Sequence, residues 1–335
     1  MNLFPDTANF IHQKIKTKKF LLIVFFFIII VPSSVFLLSQ NQKNSLTILA
    51  SQNKFHVEFA IPKANQKEFT EFLKAQNIPQ SVKLGLDFET DSTTSARLAF
   101  FTPIKTNFKI LGNKIIFSGT TNSQNKELPR QNFKIPKETS LAVFAPNFGD
   151  FLKSKFTLPD DFSTWLSENL TSESGQYLIV FGKNADFALA WQNSALDLNS
   201  LKTITTNLET EYKEQEEEGI NLHLVRLTPK DKKEQTFAIF KIGQWFFITS
   251  SLDTARTIIA VQQSQTSQIH FESNKKGQKE AFALFLTNDE SNSLNDSFFD
   301  LLSIDNQLLM DMLLKITRFE FTLKENDFSG LIILK

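Results

Sequence analysis

The chain has no cysteine among its 335 residues. No disulfide can support the fold, no thiolate can act as a nucleophile, and no cysteine-based metal site can form. Glycine is scarce, with ten residues in all, which leaves little material for a phosphate-cradling loop. No Gly-x-Ser-x-Gly elbow is present either. The four histidines, His12, His56, His223 and His270, are far apart, and none stands at metal-ligand spacing from another. Charge of one sign is also missing: 36 basic residues balance 36 acidic ones, so the chain has no excess of the positive charge that nucleic acid demands. Tyrosine (Tyr177, Tyr212) and tryptophan (Trp165, Trp191, Trp245), the usual contact residues of recognition surfaces, are few. The expectation is a non-enzymatic protein with no cofactor, no metal and no nucleic-acid partner.

Phenylalanine is plentiful, with 36 residues. A Phe side chain is large and has no polar handle, so it suits either a filled core or the wall of a cavity for a lipid or other apolar ligand. Five of these residues fall in one apolar run, Phe20 to Leu38, FLLIVFFFIIIVPSSVFLL. At about 1.5 Å of rise per residue the run spans roughly 28 Å, the thickness of a bilayer core. Phe20, Leu21, Phe25, Ile28, Val31, Pro32, Phe36 and Leu38 are assigned to a membrane-spanning helix, with Ser33 or Ser34 able to satisfy the carbonyl that Pro32 leaves bare. Phe20 to Val31 alone has the length of a secretory signal, but the apolar residues resume at Val35 and no Ala-x-Ala site follows, so the run reads as an uncleaved anchor. Lys14, Lys16, Lys18 and Lys19 precede it and only Lys43 follows closely, which places the N-terminus in the cytoplasm and the rest of the chain outside. The bilayer is one expected partner and an unidentified envelope protein the other.

Beyond the anchor the pattern is α+β. Phe55, Val57, Phe59 and Ile61 alternate with polar residues as a half-buried strand; Phe69, Phe72 and Leu73 form a helical stripe; Val82 to Phe88 and Ala96 to Thr102 alternate again. Phe108 to Leu111 and Lys114 to Ser118 flank Gly112-Asn113 as a hairpin. Thr120 to Arg130 reads as linker. Ser140 to Ala145 is a buried strand, followed by two short helices, the second opened by Pro159, Asp160 and Asp161. Tyr177 to Phe181 and Phe187 to Trp191 make a second hairpin. A long helix is expected over Asn199 to Glu218, with Leu201, Ile204, Leu208 and Tyr212 on one face and Gly219 as its stop. Its acidic end, Glu214, Glu216, Glu217 and Glu218, reads as a solvated face, with calcium binding as the alternative. Strands follow at Ile220 to Leu227, Thr236 to Ile242 and Gln244 to Thr249, then a helix headed by Ser250 and Asp253 at capping-box spacing. After the polar stretch Gln262 to Lys279 come a strand at Ala281 to Leu286, a helical region over Ser293 to Leu314 and a closing hairpin, Arg318 to Leu323 with Phe328 to Leu334. Asn169-Leu-Thr171 and Asn295-Asp-Ser297 fit a glycosylation sequon, and Asn288-Asp289-Glu290 matches part of a calcium loop.

At a constant offset of 141, Ala142, Phe144, Asn147, Lys183, Asp186 and Phe187 meet Ala283, Phe285, Asn288, Lys324, Asp327 and Phe328. Both copies read strand, helix, helix, strand, turn, strand, which predicts duplicated strand-helix-helix-strand-strand units. The expected organisation is a cytoplasmic basic tail over 1–19, a transmembrane helix over 20–38, an α+β domain over 46–120, a linker over 121–136 and a second α+β domain over 137–265. A third unit over 280–335, a partial repeat, packs on the second. The segments Ser140-Leu-Ala-Val-Phe-Ala, Gln176-Tyr-Leu-Ile-Val-Phe-Gly, Phe187-Ala-Leu-Ala-Trp and Phe237 to Arg256 together resemble domain of unknown function family 3352 over residues 137–265, extending to 335. That resemblance implies a membrane-anchored bacterial protein and carries no catalytic residues. The function expected is that of a single-pass envelope protein whose extracytoplasmic α+β domain binds a partner or is structural. The alternatives are an apolar-ligand carrier and a bitopic scaffold of an envelope assembly or division complex.

Overall fold

Alternation with a period of two recurs through most of the chain, and the computed structural model answers it with strands, antiparallel in each ladder whose register is defined. The structure describes residues 44–335 except 52–53, 64–65, 68–69, 72–85, 90–103, 112, 122–126, 130–132, 147, 149–151, 154–155, 157, 171–174, 183, 194–195, 205–209, 228–233, 264–267, 272–278, 290–291 and 303–306. The expected span Phe20 to Leu38, its flanking lysines, the stripe Phe69, Phe72 and Leu73, and the strand Ala96 to Thr102 lie outside these residues. Among the described residues no helix is long and apolar enough to cross a membrane.

The strands are β1 (Asn44–Ser51), β2 (Lys54–Ala60), β3 (Leu86–Glu89), β4 (Ile104–Leu111), β5 (Lys114–Thr120), β6 (Leu128–Pro129), β7 (Phe133–Pro136), β8 (Leu141–Ala145), β9 (Gln176–Phe181) and β10 (Asp186–Trp191). They continue with β11 (Thr210–Glu217), β12 (Ile220–Leu227), β13 (Gln235–Ile242), β14 (Trp245–Thr249), β15 (Gln268–Phe271), β16 (Lys279–Glu280), β17 (Phe282–Thr287), β18 (Ile316–Lys324) and β19 (Asp327–Leu334). The helices are α1 (Asp160–Asn169), α2 (Leu201–Ile204), α3 (Leu252–Gln262), α4 (Asp296–Leu302) and α5 (Gln307–Lys315).

Two compact units divide the described chain. A central unit comprises Leu128–Asp305, and a split unit joins Asn306–Lys335 to the described part of Lys19–Glu127. The expected third unit over 280–335 is therefore divided: its closing hairpin pairs with β5, Phe328 opposite Gly119 and Ile332 opposite Ile115. Local periodicity finds strands but cannot say which distant strand completes a ladder.

In the central unit the sheet runs β11-β12-β13-β14-β10-β9-β8-β17. Every residue of β8 and β17 is buried, which explains why SLAVFA and FALFLT lack the usual polar alternation; one face of the pair joins the core to which α3 contributes. Facing α3, the small residues Ala142, Ala188, Ala190, Ala238 and Ala283 make room for Ala255, Ile258 and Ile259. Both isoleucines are fully buried, each worth about 1.5–3 kcal/mol of burial. On the opposite face Phe156 packs edge-on to Phe237 at 5.2 Å and Phe162 lies 6.0 Å from Phe237. The segments read as linker contribute as well: β7 pairs with β15, and Ile135 on β7 is part of the α3-side core. Their few apolar residues are too short a pattern to register as strands alone.

The largest correction concerns Asn199 to Glu218. Among the described residues of this span, helix is a 3-10 turn at Leu198–Ser200 and α2, while Thr210–Glu217 is an edge strand paired along its length with β12. Glu217 pairs with Ile220, so the loop is the dipeptide Glu218-Gly219, whose φ values are 51° and 78°. Positive φ at both positions is the requirement of the type I′ hairpin turn, so Gly219 turns a hairpin rather than stopping a helix. The helix cap also moves by one residue. Ser251 is the N-cap of α3 and accepts from the Thr254 backbone N–H, while Ser250 Oγ accepts from Phe187 N at 2.9 Å and donates to Asp186 Oδ1 at 2.8 Å. The expected helical region over Ser293 to Leu314 contains α4 and α5.

In the split unit the order is β18-β19-β5-β4-β1-β2-β3. Its inner face is built from Phe: Phe117 stacks on Phe319 at 6.2 Å and Phe321 lies 5.9 Å from Phe328. Phe117 pairs across strands with Gly330 and Phe328 with Gly119, and each ring occupies the space a Cβ on its partner glycine would take. The turn at Glu218-Gly219 gives the first test. Gly219→Ala should lose about 1 kcal/mol, because an L side chain pays for left-handed backbone, and Glu218→Gly should gain about 0.5 kcal/mol, both read from urea midpoints at constant m.

Candidate functional site

Because the hairpin turns at Glu218-Gly219, Glu214 falls directly opposite His223. That register assembles a connected ionisable cluster in the central unit. His223 is buried, 4 % exposed, and its Nδ1 lies 2.6 Å from the Tyr212 hydroxyl. The same hydroxyl is 2.7 Å from Glu214 Oε1, which also receives Lys202 Nζ from α2 at 2.7 Å. Tyr212 has one phenolic proton, and the carboxylate is the stronger acceptor. The consistent arrangement has Tyr212 donating to Glu214 and a neutral His223, protonated at Nδ1, donating to the phenol oxygen.

Electrostatics follow from that chain of contacts. Lys202 and then Tyr212 hold the Glu214 carboxyl below its ordinary value, and burial together with Glu214 pushes the Tyr212 phenol above its own. Burial drives His223 below the ordinary histidine value of 6.5, with Lys202 in the same direction; Glu214 and Asp197 oppose it. Glu217 points elsewhere, accepting from Arg256 of α3 at 2.8 Å, and Arg256 also reaches Asp253 at 3.2 Å. Glu214 and Glu217 of the acidic run thus enter separate ion pairs. Among the described residues no group of three or more His, Asp and Glu side chains could hold a metal ion. The cluster contains one carboxylate and one imidazole bridged by a phenol. It can pass a proton between them, and it fastens the edge strand β11 to β12 and to α2.

A second polar network joins β8, β9 and the loop before α4. Ser140 Oγ accepts from Gly182 N at 2.9 Å and donates to Asn292 O at 3.2 Å. Asn292 Nδ2 reaches Lys137 O at 3.1 Å, and its own N–H meets Asp289 Oδ1 at 3.0 Å. Asn288 Oδ1 accepts from Leu294 N at 3.3 Å, and Asn295 Oδ1 from Phe298 N at 3.0 Å. The partial calcium loop and one sequon are therefore turn and cap residues. In the other sequon, Asn169 Nδ2 donates to Trp165 O at 2.9 Å, while Asn169 O accepts from Trp191 Nε1 at 2.9 Å. Asp160 and Asp161 occupy the first turn of α1, as read. His56 lies on β2 and His270 on β15, so neither shares a strand with His223, and His12 lies outside the described residues.

The sequence reading passed over Lys202 and Asp197. Its own signal for them was Gly219: read as a hairpin turn, it places Glu214 opposite His223 and brings the preceding helix near both.

No family model matches the chain, and no curated protein matches it. Among solved structures it is similar to TP0453 in three crystal forms. Form III is 13% identical with a TM-score of 0.34, over 59% of this chain and 76% of that one. Form IV is 12% identical with a TM-score of 0.33, over 55% and 70%, and form I is 10% identical with a TM-score of 0.32, over 58% and 73%. At these scores the likeness fixes neither fold nor role.

Two measurements test the networks. A histidine held below its unfolded value adds stability that is complete above about pH 6.5 and is lost as pH falls toward its folded value. The stability difference between wild type and His223→Phe, from urea unfolding, should therefore shrink between about pH 7 and pH 5. A difference constant across that window would mean that His223 does not titrate differently on folding. Ser140→Ala leaves the Gly182 N–H buried without its acceptor and should cost about 1–3 kcal/mol. Exposed Ser118→Ala should stay within about 0.5 kcal/mol of wild type.

Proposed function

We propose that this is a non-enzymatic, single-pass membrane-anchored envelope protein whose α+β domain lies outside the cytoplasm and serves as a binding or structural module. The observation that carries the reading is the run Phe20 to Leu38 behind Lys14, Lys16, Lys18 and Lys19, followed by a long chain with no cysteine and no catalytic motif. The ionisable groups support it in one respect. In the described part Glu214, Glu217, Arg256 and Tyr212 are engaged with one another or with a neighbouring strand or helix, as structural ion pairs are. Nothing supports the carrier alternative comparably. The Phe residues that prompted it, Phe117, Phe187, Phe237 and Phe328 among them, pack on other rings. The resemblance to family 3352 is part of the same proposal and agrees with a membrane-anchored protein.

We also infer an internal duplication, supported by the β8–β17 ladder. Val143 pairs with Leu284, and Ala142–Phe285 and Phe144–Ala283 flank them. Adding 141 to one partner of each pair and subtracting it from the other returns the same three pairs, as a local two-fold relation between two copies requires. The shorter turn of the second copy, Glu325-Asn326 against Gly182 to Ala185, accounts for the slip of two residues between β9 and β18.

The test of the anchor uses the whole chain expressed in a bacterial host. It should stay in the membrane pellet through alkaline carbonate, and protease added to spheroplasts should remove everything beyond the span. Recovery in the soluble fraction, or protection from the protease, would overturn the anchor or its orientation.

A further inference from the structure

On the outer face of the split unit's sheet, Ile116 of β5 is paired with Leu331 of β19, and Ile333 sits one repeat further along the same face. Ile116 is 47 % exposed, the most exposed large apolar side chain among those described. Leu331 and Ile333 beside it are half-buried. Charged residues of the same face surround this cluster. Lys114 on β5 and Lys105 on the neighbouring β4 are exposed, and Arg318 and Lys324 lie on β18. Among the described side chains of this face on β4, β5, β18 and β19, two acids stand against these four cations, Glu320, which is engaged by Arg318, and Asp327. The described side chains of this face on β4, β5, β18 and β19 are thus net basic, in a chain whose basic and acidic residues balance overall; Glu58, Asp87 and Glu89 stand at same-face positions further out, on β2 and β3.

The position of β1 says what this face meets. Asn44 pairs with Phe108, and β1 then runs toward Ile104, away from the apolar end of the face. The chain therefore enters the sheet from the side of Ile116 and Ile333. The apolar run ends at Leu38, six residues before Asn44, so its end lies within roughly 20 Å of that edge at the full reach of an extended chain. A face of two net positive charges and three apolar side chains would bind a bilayer weakly from free solution. A tether this short raises the effective concentration of the lipid surface to about the millimolar range, where weak contacts are occupied.

We propose that the face carrying Ile116, Leu331, Ile333, Lys114, Lys105 and Arg318 lies against the anionic lipid surface of the same bilayer that the run Phe20 to Leu38 enters. The proposal rests on the anchored reading. The apolar residues reach the headgroup boundary while the lysines meet lipid phosphates, and the split unit is held flat on the membrane.

The absence of native cysteine makes the test direct. Ile116→Cys and, as a control on the exposed edge strand, Glu216→Cys are each spin-labelled in the full chain. The chain is reconstituted into vesicles of phosphatidylcholine alone or mixed with phosphatidylglycerol. The label at 116 should lose access to aqueous nickel and gain access to oxygen only in the anionic vesicles, and high salt should reverse the change. The label at 216 should remain aqueous throughout. Lys114→Gln and Lys105→Gln should each lower the ratio of docked to undocked label by about fivefold. A chain that floats with the vesicles but keeps label 116 equally wet in both compositions would overturn the docking and leave the anchor standing. A chain that does not float would overturn the anchored reading, and the docking with it. Burial of label 116 in detergent micelles, with spin-spin broadening, would assign the face to a second copy instead.

Discussion

Burial of the central sheet on both faces is the constraint from which most of this structure follows. With no cysteine, stability depends on area removed from water, at about 25 cal/mol per Å² of apolar surface. A sheet covered on one side only would alternate. Here β8, β9 and β10 are apolar along almost their whole length because both of their faces are buried. Residue size then decides which helix sits where. The alanines of the α3 face let a helix approach closely, and the bulkier Phe187, Phe237 and Trp191 of the other face meet Phe156, Phe162 and the end of α1.

Covering both faces creates a second demand, because every buried polar group needs a partner. Gln176 and Ser140 are fully buried. Gln176 accepts from the Phe148 N–H at 2.7 Å and Ser140 from that of Gly182. Trp165 and Trp191 each place an indole N–H on an oxygen, Ser200 Oγ at 2.8 Å and Asn169 O at 2.9 Å. These polar contacts tie loops to the ends of strands, and they absorb the residues that motif reading offered as calcium or glycan sites. The edge demands something different: β11 is a ladder's last strand, and its run of Glu, Lys and Gln makes it a poor template for a further strand.

The same run explains where sequence reasoning succeeded and where it failed. Strands with their own apolar pattern, such as Tyr177 to Phe181 and Thr236 to Ile242, were legible because burial imposed the alternation or the continuous run. Thr210 to Glu217 was not. Its residues favour helix, and Leu201, Ile204, Leu208 and Tyr212 keep helical spacing across the boundary. The pairing with β12 and the positive φ of Glu218 and Gly219 decide otherwise. Tertiary pairing outweighs propensity at an edge, and propensity is worth only tenths of a kcal/mol per residue. The candidate site shared that fate: His223 and Glu214 were noticed singly, but their meeting depends on the register that the misread turn sets.

The split unit shows the long-range limit more sharply. Its β5 was legible and so was its closing hairpin, yet about two hundred residues of chain separate them, and no local rule says that Phe328 will cover Gly119 while Phe117 covers Gly330. The reciprocal ring-over-glycine pairs fix that register from the inside. A slip of β5 by one residue would carry Phe117 to the outer face and put Ile116 inside. The inner Phe packing therefore also determines which residues the outer face presents. An aromatic-on-glycine lock within the sheet and a basic surface with an apolar centre on its far side are two consequences of a single register.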